Sequence, residues 1–362
     1  MGKPHVIYCD YQATTPLAPE AREAMLSWLD GPDGTGFGNP HSAHRMGRMA
    51  AAAVDVAREQ VSALFPVGGM VIFTGSATEA INLAMRGVEP GGLIAATAIE
   101  HAAVLDTAGA LGAYHEIEVD GAGIAGLDGD LPEDASLIAV MQVNNEIGTV
   151  QPIAAWHERA RARGALLLCD AVQAAGKIEI AEADMIAISA HKLHGPKGIG
   201  ALWVRDGVEL EPLITGGGQE QGLRSGTLSP ALCAGFGAAA KLALERREED
   251  AAHVERLWNL ALELFEGWTI NGSTTQRWHG NLNIRRDGLD VARLMSDCRN
   301  VMFSAGSACA SGSGRPSHVL RALGLSDAQA KNSIRLGFGR YTTMEQLEEA
   351  AHSIISAANS QG

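Results

Sequence analysis

Ala165-Leu166-Leu167-Leu168-Cys169-Asp170 and Met185-Ile186-Ala187-Ile188-Ser189-Ala190-His191-Lys192 decide how this chain is read. Each is a short aliphatic run that closes on polar residues. Unbroken apolar runs of this length suit strands buried on both faces, as in a parallel sheet flanked by helices. Asp170 and Lys192 stand 22 residues apart, room for one crossover and one strand, so both should emerge at one edge of adjacent or nearby strands. In open sheets of this kind ligands gather beyond the carboxyl ends of the strands.

Working outward, Val71-Ile72-Phe73, Leu93-Ile94-Ala95-Ala96, Leu137-Ile138-Ala139-Val140-Met141 and Ala201-Leu202-Trp203-Val204 repeat the pattern, with helical periodicity between them. The chain is therefore expected to be α/β, with a large, mostly parallel sheet. Helices are predicted at 16–28 and 42–64 before this core and at 229–247 and 251–265 after it. The remainder reads as a smaller α+β unit, with strands at 281–284 and 333–336 and helices at 289–298 and 344–358. The expected division is a large domain over 15–250 and a small one made of 1–14 and 251–362.

Length and composition agree: 362 residues, 46% hydrophobic, with 43 glycines for tight strand-to-helix turns. A net charge of −14 without basic clusters repels polyanions, so nucleic acid is discounted as a partner. No apolar run approaches the roughly 20 residues of a membrane span, and Met1 to Val6 lacks the apolar core of a signal peptide. Five scattered cysteines without a C-x-x-C pair argue against disulfides or structural zinc, and no metal is expected. The expected compartment is the cytoplasm.

Three features converge on one cofactor. Thr74-Gly75-Ser76-Ala77-Thr78-Glu79 joins a strand to a helix, and Ser76 with Glu79 has the pattern of a capping box. Such a helix start suits a phosphate, although an ordinary cap has the same sequence. Asp170 at a strand end can hold a protonated heteroaromatic nitrogen or simply cap a helix. Lys192, followed by Gly195-Pro196-Lys197-Gly198, can bond to an aldehyde, whereas an isolated lysine is usually a solvated loop residue. Together they supply the three anchors of pyridoxal 5'-phosphate. His101 can stack on the ring or serve as a satisfied structural histidine. In Ser304-Ala305-Gly306-Ser307-Ala308-Cys309-Ala310-Ser311-Gly312, small residues leave one thiol unhindered, as a nucleophile requires; Cys9 and Cys169 sit in apolar runs and read as inert.

At these positions the chain resembles the cysteine desulfurases of the NifS/IscS type, within the class V aminotransferases. The matching segments run nearly end to end. They include 8–16, Gly38-Asn39-Pro40, Ala77-Thr78-Glu79, Glu100-His101, Asn144-Asn145-Glu146-Ile147-Gly148, His191-Lys192, Gly216-Gly217-Gly218-Gln219-Glu220, Arg224-Ser225-Gly226-Thr227, Gly306-Ser307-Ala308-Cys309 and Ser333-Ile334-Arg335. The resemblance implies a fold type I pyridoxal-phosphate transferase, with a seven-stranded large domain, a smaller C-terminal α+β domain and a homodimer that shares its active sites.

It further implies that Lys192 holds the cofactor aldehyde, Asp170 pairs with the ring nitrogen, Gln173 bonds the ring oxygen and His101 stacks on the ring; in the expected mechanism Lys192 acts as base and His101, which titrates near neutrality, relays protons. Phosphate contacts would come from Ala77, Thr78, Ser189, His191 and Thr227 of the partner subunit. Asn145 and Arg335 would grip the carboxylate of L-cysteine, and Cys309 would accept its sulfur as a persulfide, leaving L-alanine. A sulfur-acceptor protein, such as an iron–sulfur scaffold, would complete the cycle. Ser76, Ala102 and Val172 depart from the usual residues without removing any of this chemistry. The sequence ends soon after its last helical segment, short of the tail many relatives use to dock a scaffold, so the acceptor stays open. Transamination or selenocysteine cleavage on the same scaffold would not need Cys309, and a non-catalytic relative would be expected to lack Lys192 or Asp170.

Overall fold

The computed structural model describes residues 6–88, 92–306 and 316–361. A short strand β1 (Ile7–Tyr8) and helices α1 (Pro19–Leu26) and α2 (Arg45–Ser62) precede an alternating run. That run is β2 (Gly69–Thr74), α3 (Ala77–Gly87), β3 (Leu93–Thr97), α4 (Ala102–Leu111), β4 (Tyr114–Ile117), β5 (Ala135–Ala139), α5 (Ile153–Ala162), β6 (Leu166–Asp170), β7 (Met185–Ser189) and β8 (Gly200–Arg205). Helices α6 (Pro230–Glu245) and α7 (Arg247–Leu264) follow. The C-terminal part contains β9 (Thr269–Ile270), β10 (Asn281–Arg285), α8 (Val291–Asp297), β11 (Val301–Met302), β12 (Ser304–Ala305), α9 (His318–Ala322), α10 (Asp327–Lys331), β13 (Ser333–Gly337) and α11 (Met344–Asn359).

Strands β2 to β8 form a seven-stranded sheet in the order β2-β8-β7-β6-β5-β3-β4. From β7 to β4 all neighbours are parallel, while β8 is antiparallel to β7 and β2. Successive residues of β7 point to opposite faces. Met185 and Ala187 join a core with Ile81 and Leu83 of α3, and Ile186 and Ile188 join a second core with Phe236 of α6. Burial on both sides explains the continuous aliphatic runs. Each large aliphatic side chain so buried contributes about 1.5–3 kcal/mol.

The reading of the sequence missed β4, an edge strand whose Tyr114, His115 and Glu116 stay partly or fully exposed and carry no buried pattern. It also carried β5 on to Met141. The strand ends at Ala139 because the Met141 N–H donates to the Glu100 carboxylate, at 2.6 Å, rather than to a neighbouring strand. Helix α7 starts at Arg247, four residues before the predicted position, on an acidic first turn of Glu248, Glu249 and Asp250 that suits the helix dipole.

A four-stranded antiparallel sheet, β12-β13-β10-β9, supports a further core with α7, α8 and α11. Ile7 and Cys9 pack into that core, β1 pairs in parallel with β11, and Asp10 bridges to Gly337. The N-terminal segment thereby runs beside the end of β13 and brings Asp10 and Gln12 to the carboxyl edge of the large sheet.

Candidate active site

Strands β6 and β7 are adjacent and parallel, with Asp170 paired to Ala187, so their ends open on one cavity of about 350 Å³. Its walls include Asp170, Lys192, His101, Gln173, Asn145 and Arg335. Ser189 closes β7, and a single 3-10 turn over Ala190–Lys192 brings the lysine over the sheet edge. Its Nζ donates to the carbonyl oxygens of Gln12 and, at 3.0 Å, Ala13.

Asp170 is 5% exposed, and its Oδ1 accepts from the Val172 N–H at 2.9 Å. Burial raises its pKa, against the opposing pull of His101 and Lys192. A buried carboxylate in this state gains from any cation that reaches it. His101 caps α4, with Nδ1 accepting from the Ala103 N–H at 3.1 Å. Burial lowers its pKa chiefly, with Asp170 pulling the other way. The lowering favours the neutral ring, in which the accepting Nδ1 leaves the proton on Nε2.

The phosphate-type end is built by α3. Ser76 caps the helix, its Oγ accepting from the Glu79 N–H at 3.2 Å. The capping box is only half formed, because the Glu79 carboxylate takes the Gly75 N–H, at 2.7 Å, and pairs with Arg224. Gly200 of β8 allows the helix to start this close to the sheet. A Cβ there would lie 2.6 Å from the Ser76 carbonyl carbon and 2.8 Å from the Ala77 nitrogen. The first N–H groups of a helix have no partner within it, so Ala77 and Thr78 offer donors beside Ser189 and His191. His191 accepts or donates at Nδ1 to Thr14 Oγ1 (3.1 Å), and burial, followed by Lys192, brings its pKa down to about 4.

At the other end Arg335 is fully buried. Nη2 meets Asp10 Oδ1 at 2.7 Å and Nη1 donates to the Asn145 carbonyl oxygen at 3.0 Å, while Nε is buried without a partner. A planar guanidinium so fixed is suited to a carboxylate.

The donor set matches pyridoxal phosphate at each end. Helix N–H groups suit the phosphate, a buried carboxylate in need of a cation suits the ring nitrogen, and an amine suits the aldehyde. One expected residue stands apart from this cavity. Thr227 is exposed and does not line it in its own chain. Cys309 lies outside the described residues. The four described cysteines, Cys9, Cys169, Cys233 and Cys298, are buried, and burial raises all four thiols. Asp10, Gln12 and Lys177 had been assigned no role from sequence, and the structure places them against Arg335, Lys192 and Gln173. Among the described residues no cluster of three or more His, Cys, Asp or Glu could hold a metal ion, and no helix is long and apolar enough to cross a membrane.

Comparison with known proteins gives a consistent picture. Residues 7–349 match the model of the family described as aminotransferase class-V. A protein of Shewanella denitrificans named cysteine desulfurase IscS is 41% identical over 375 residues, covering 97% of this chain and 92% of that protein. Among solved structures, a NifS-like protein superposes with a TM-score of 0.88 at 30% identity, covering 97% of this chain and 98% of the other. SspA, solved in complex with cysteine, superposes at 0.80 with 34% identity, covering 93% of this chain and 100% of the other.

Proposed function

This chain belongs to the class-V aminotransferase family, and we propose that it is a cysteine desulfurase that takes sulfur from L-cysteine, releases L-alanine and carries the sulfur as a persulfide on Cys309. It is an enzyme that uses pyridoxal 5'-phosphate. The observation that carries the reading is the placement of Asp170 and Lys192 at the ends of adjacent parallel strands, on one cavity.

Lys192 would hold the cofactor's aldehyde carbon, Asp170 its ring nitrogen, Gln173 its ring oxygen, and Ala77, Thr78, Ser189 and His191 its phosphate. When bound, the cofactor supplies an electron sink for the substrate's α-carbon. Arg335 and Asn145 orient the substrate carboxylate. Lys192 would take the substrate's α-proton, and His101 would pass a proton through Nε2. The Cys309 thiolate forms an S–S bond to the substrate sulfur as the Cβ–S bond breaks. The electron pair released ends on Cβ, which takes up a proton, so alanine leaves and the persulfide stays. Raised pKa values at the four described thiols support assigning the nucleophile to Cys309.

The same reading holds that 15–250 forms the large domain, that 1–14 and 251–362 form the small one, and that the enzyme is a homodimer. Exposure of Thr227 outside its own cavity supports a contribution from the partner subunit. A sulfur-acceptor protein such as an iron–sulfur scaffold would receive the cargo in the cytoplasm. Alanine release from cysteine by Cys309→Ala is the test. Near-complete loss with the cofactor still bound supports the persulfide, and undiminished turnover rejects it.

A further inference from the structure

Behind Gln173 lies a lysine that the reaction above does not use. Residues 171–178 form a short helical turn, in which the N–H groups of Ala175 and Ile178 donate to the carbonyls of Ala171 and Ala174 at 2.9 and 3.0 Å. Across this turn the side chains of Gln173 and Lys177 meet. Gly176, at φ +72°, presses the turn into the core, since a Cβ there would lie 2.9 Å from Ala243 Cβ and 3.2 Å from Leu193 Cβ. Lys177 Nζ donates to Gln173 Oε1 at 2.9 Å, and Gln173 Nε2 donates to the Gln12 carbonyl oxygen at 3.0 Å. An ammonium only donates and a carbonyl only accepts, so both neighbours demand the same orientation of the amide. The Gln12 carbonyl also accepts from Lys192, which joins Lys177, Gln173, Gln12 and Lys192 into one hydrogen-bonded chain.

We infer that Lys177 is a positioning residue for the reaction: it holds Oε1 of Gln173 away from the cavity, so that the amide presents only N–H to the cofactor's ring oxygen. The inference rests on the function proposed above. A flipped amide would set a carbonyl oxygen against that oxygen and repel it. Burial and Lys192 bring the Lys177 pKa down to about 7. The amine donates in either state, and the charged form grips Oε1 more strongly.

The test is the visible absorbance of the cofactor-loaded protein across pH, together with the dissociation constant of pyridoxal phosphate. Lys177→Met keeps the length of the side chain and removes the donor. An N–H on the ring oxygen shares negative charge that otherwise retains the neighbouring proton. Its loss should move the absorbance midpoint up by about one pH unit and weaken cofactor binding roughly tenfold, the worth of one hydrogen bond to a charged group. Lys177→Arg should recover most of both. In a Gln173→Ala background, Lys177→Met should change neither, because the effect travels through the amide. An unchanged midpoint and affinity in Lys177→Met overturns the inference, as does a shift that persists undiminished without Gln173. If circular dichroism shows that Lys177→Met does not fold, Lys177→Leu is read in the same way. A wild-type chain that gains no visible band overturns the proposed function and this inference together, whereas a loaded wild type beside an indifferent Lys177→Met overturns this inference alone.

Discussion

The Arg335 guanidinium lies 2.7 Å from the Asp10 carboxylate, although 325 residues separate them in sequence. The arginine is fully buried and Asp10 is its neutralising partner. Asp10→Asn removes the carboxylate that pairs directly with that buried charge and should destabilise the fold by about 3 kcal/mol in denaturant unfolding. Arg335→Lys removes the bidentate geometry while keeping the charge. Its KM for cysteine should rise roughly tenfold or more, with a smaller change in kcat. An unchanged KM would separate Arg335 from substrate binding.

Asp170→Asn should bind pyridoxal phosphate yet turn over roughly 10²- to 10⁴-fold more slowly, because a neutral amide does not hold the ring nitrogen protonated. Single-turnover alanine formation measures this. A rate within a few-fold of wild type would mean that Asp170 caps its turn and does nothing more.

How much of this was legible beforehand is plain from particular residues. Asp170 and Lys192 could be found because each ends an aliphatic run, and burial of both sheet faces leaves that mark in sequence. Ser76 could be found from local capping chemistry. Asp10, Gln12 and Lys177 could not. Their partners lie far along the chain or depend on which end of an amide faces a lysine, and neither property has a spacing. β4 was missed for a related reason: an exposed edge strand carries no apolar alternation.

Glu100 provides a pH signature. Its Oε1 accepts from Thr97 Oγ1 and the Met141 N–H, both at 2.6 Å, while Oε2 is buried without a partner. Burial foremost raises its pKa from 4.5 to about 8. Between those values the folded chain keeps a proton that the unfolded chain has released. Stability should therefore fall as pH rises through that window, by up to roughly 1.4 kcal/mol per pH unit. Glu100→Gln should flatten the decline in urea melts. Parallel slopes for the two proteins would contradict the assignment.

Gly200→Ala tests the phosphate end. The new methyl group falls on the start of α3, beside Ser76 and Ala77. The affinity for pyridoxal phosphate should weaken roughly tenfold, more than the affinity for pyridoxal, which lacks the phosphate. Equal loss for both compounds would place the damage elsewhere.

The most direct measurement is a single turnover of the cofactor-loaded protein with sulfur-labelled L-cysteine, followed by peptide mapping without reductant and quantification of alanine. The expected result is one alanine per label retained, with the label on the peptide that contains Cys309 and absent from Lys192→Ala. Formation of a keto acid without retained label, or label retained equally by Lys192→Ala, would contradict the account.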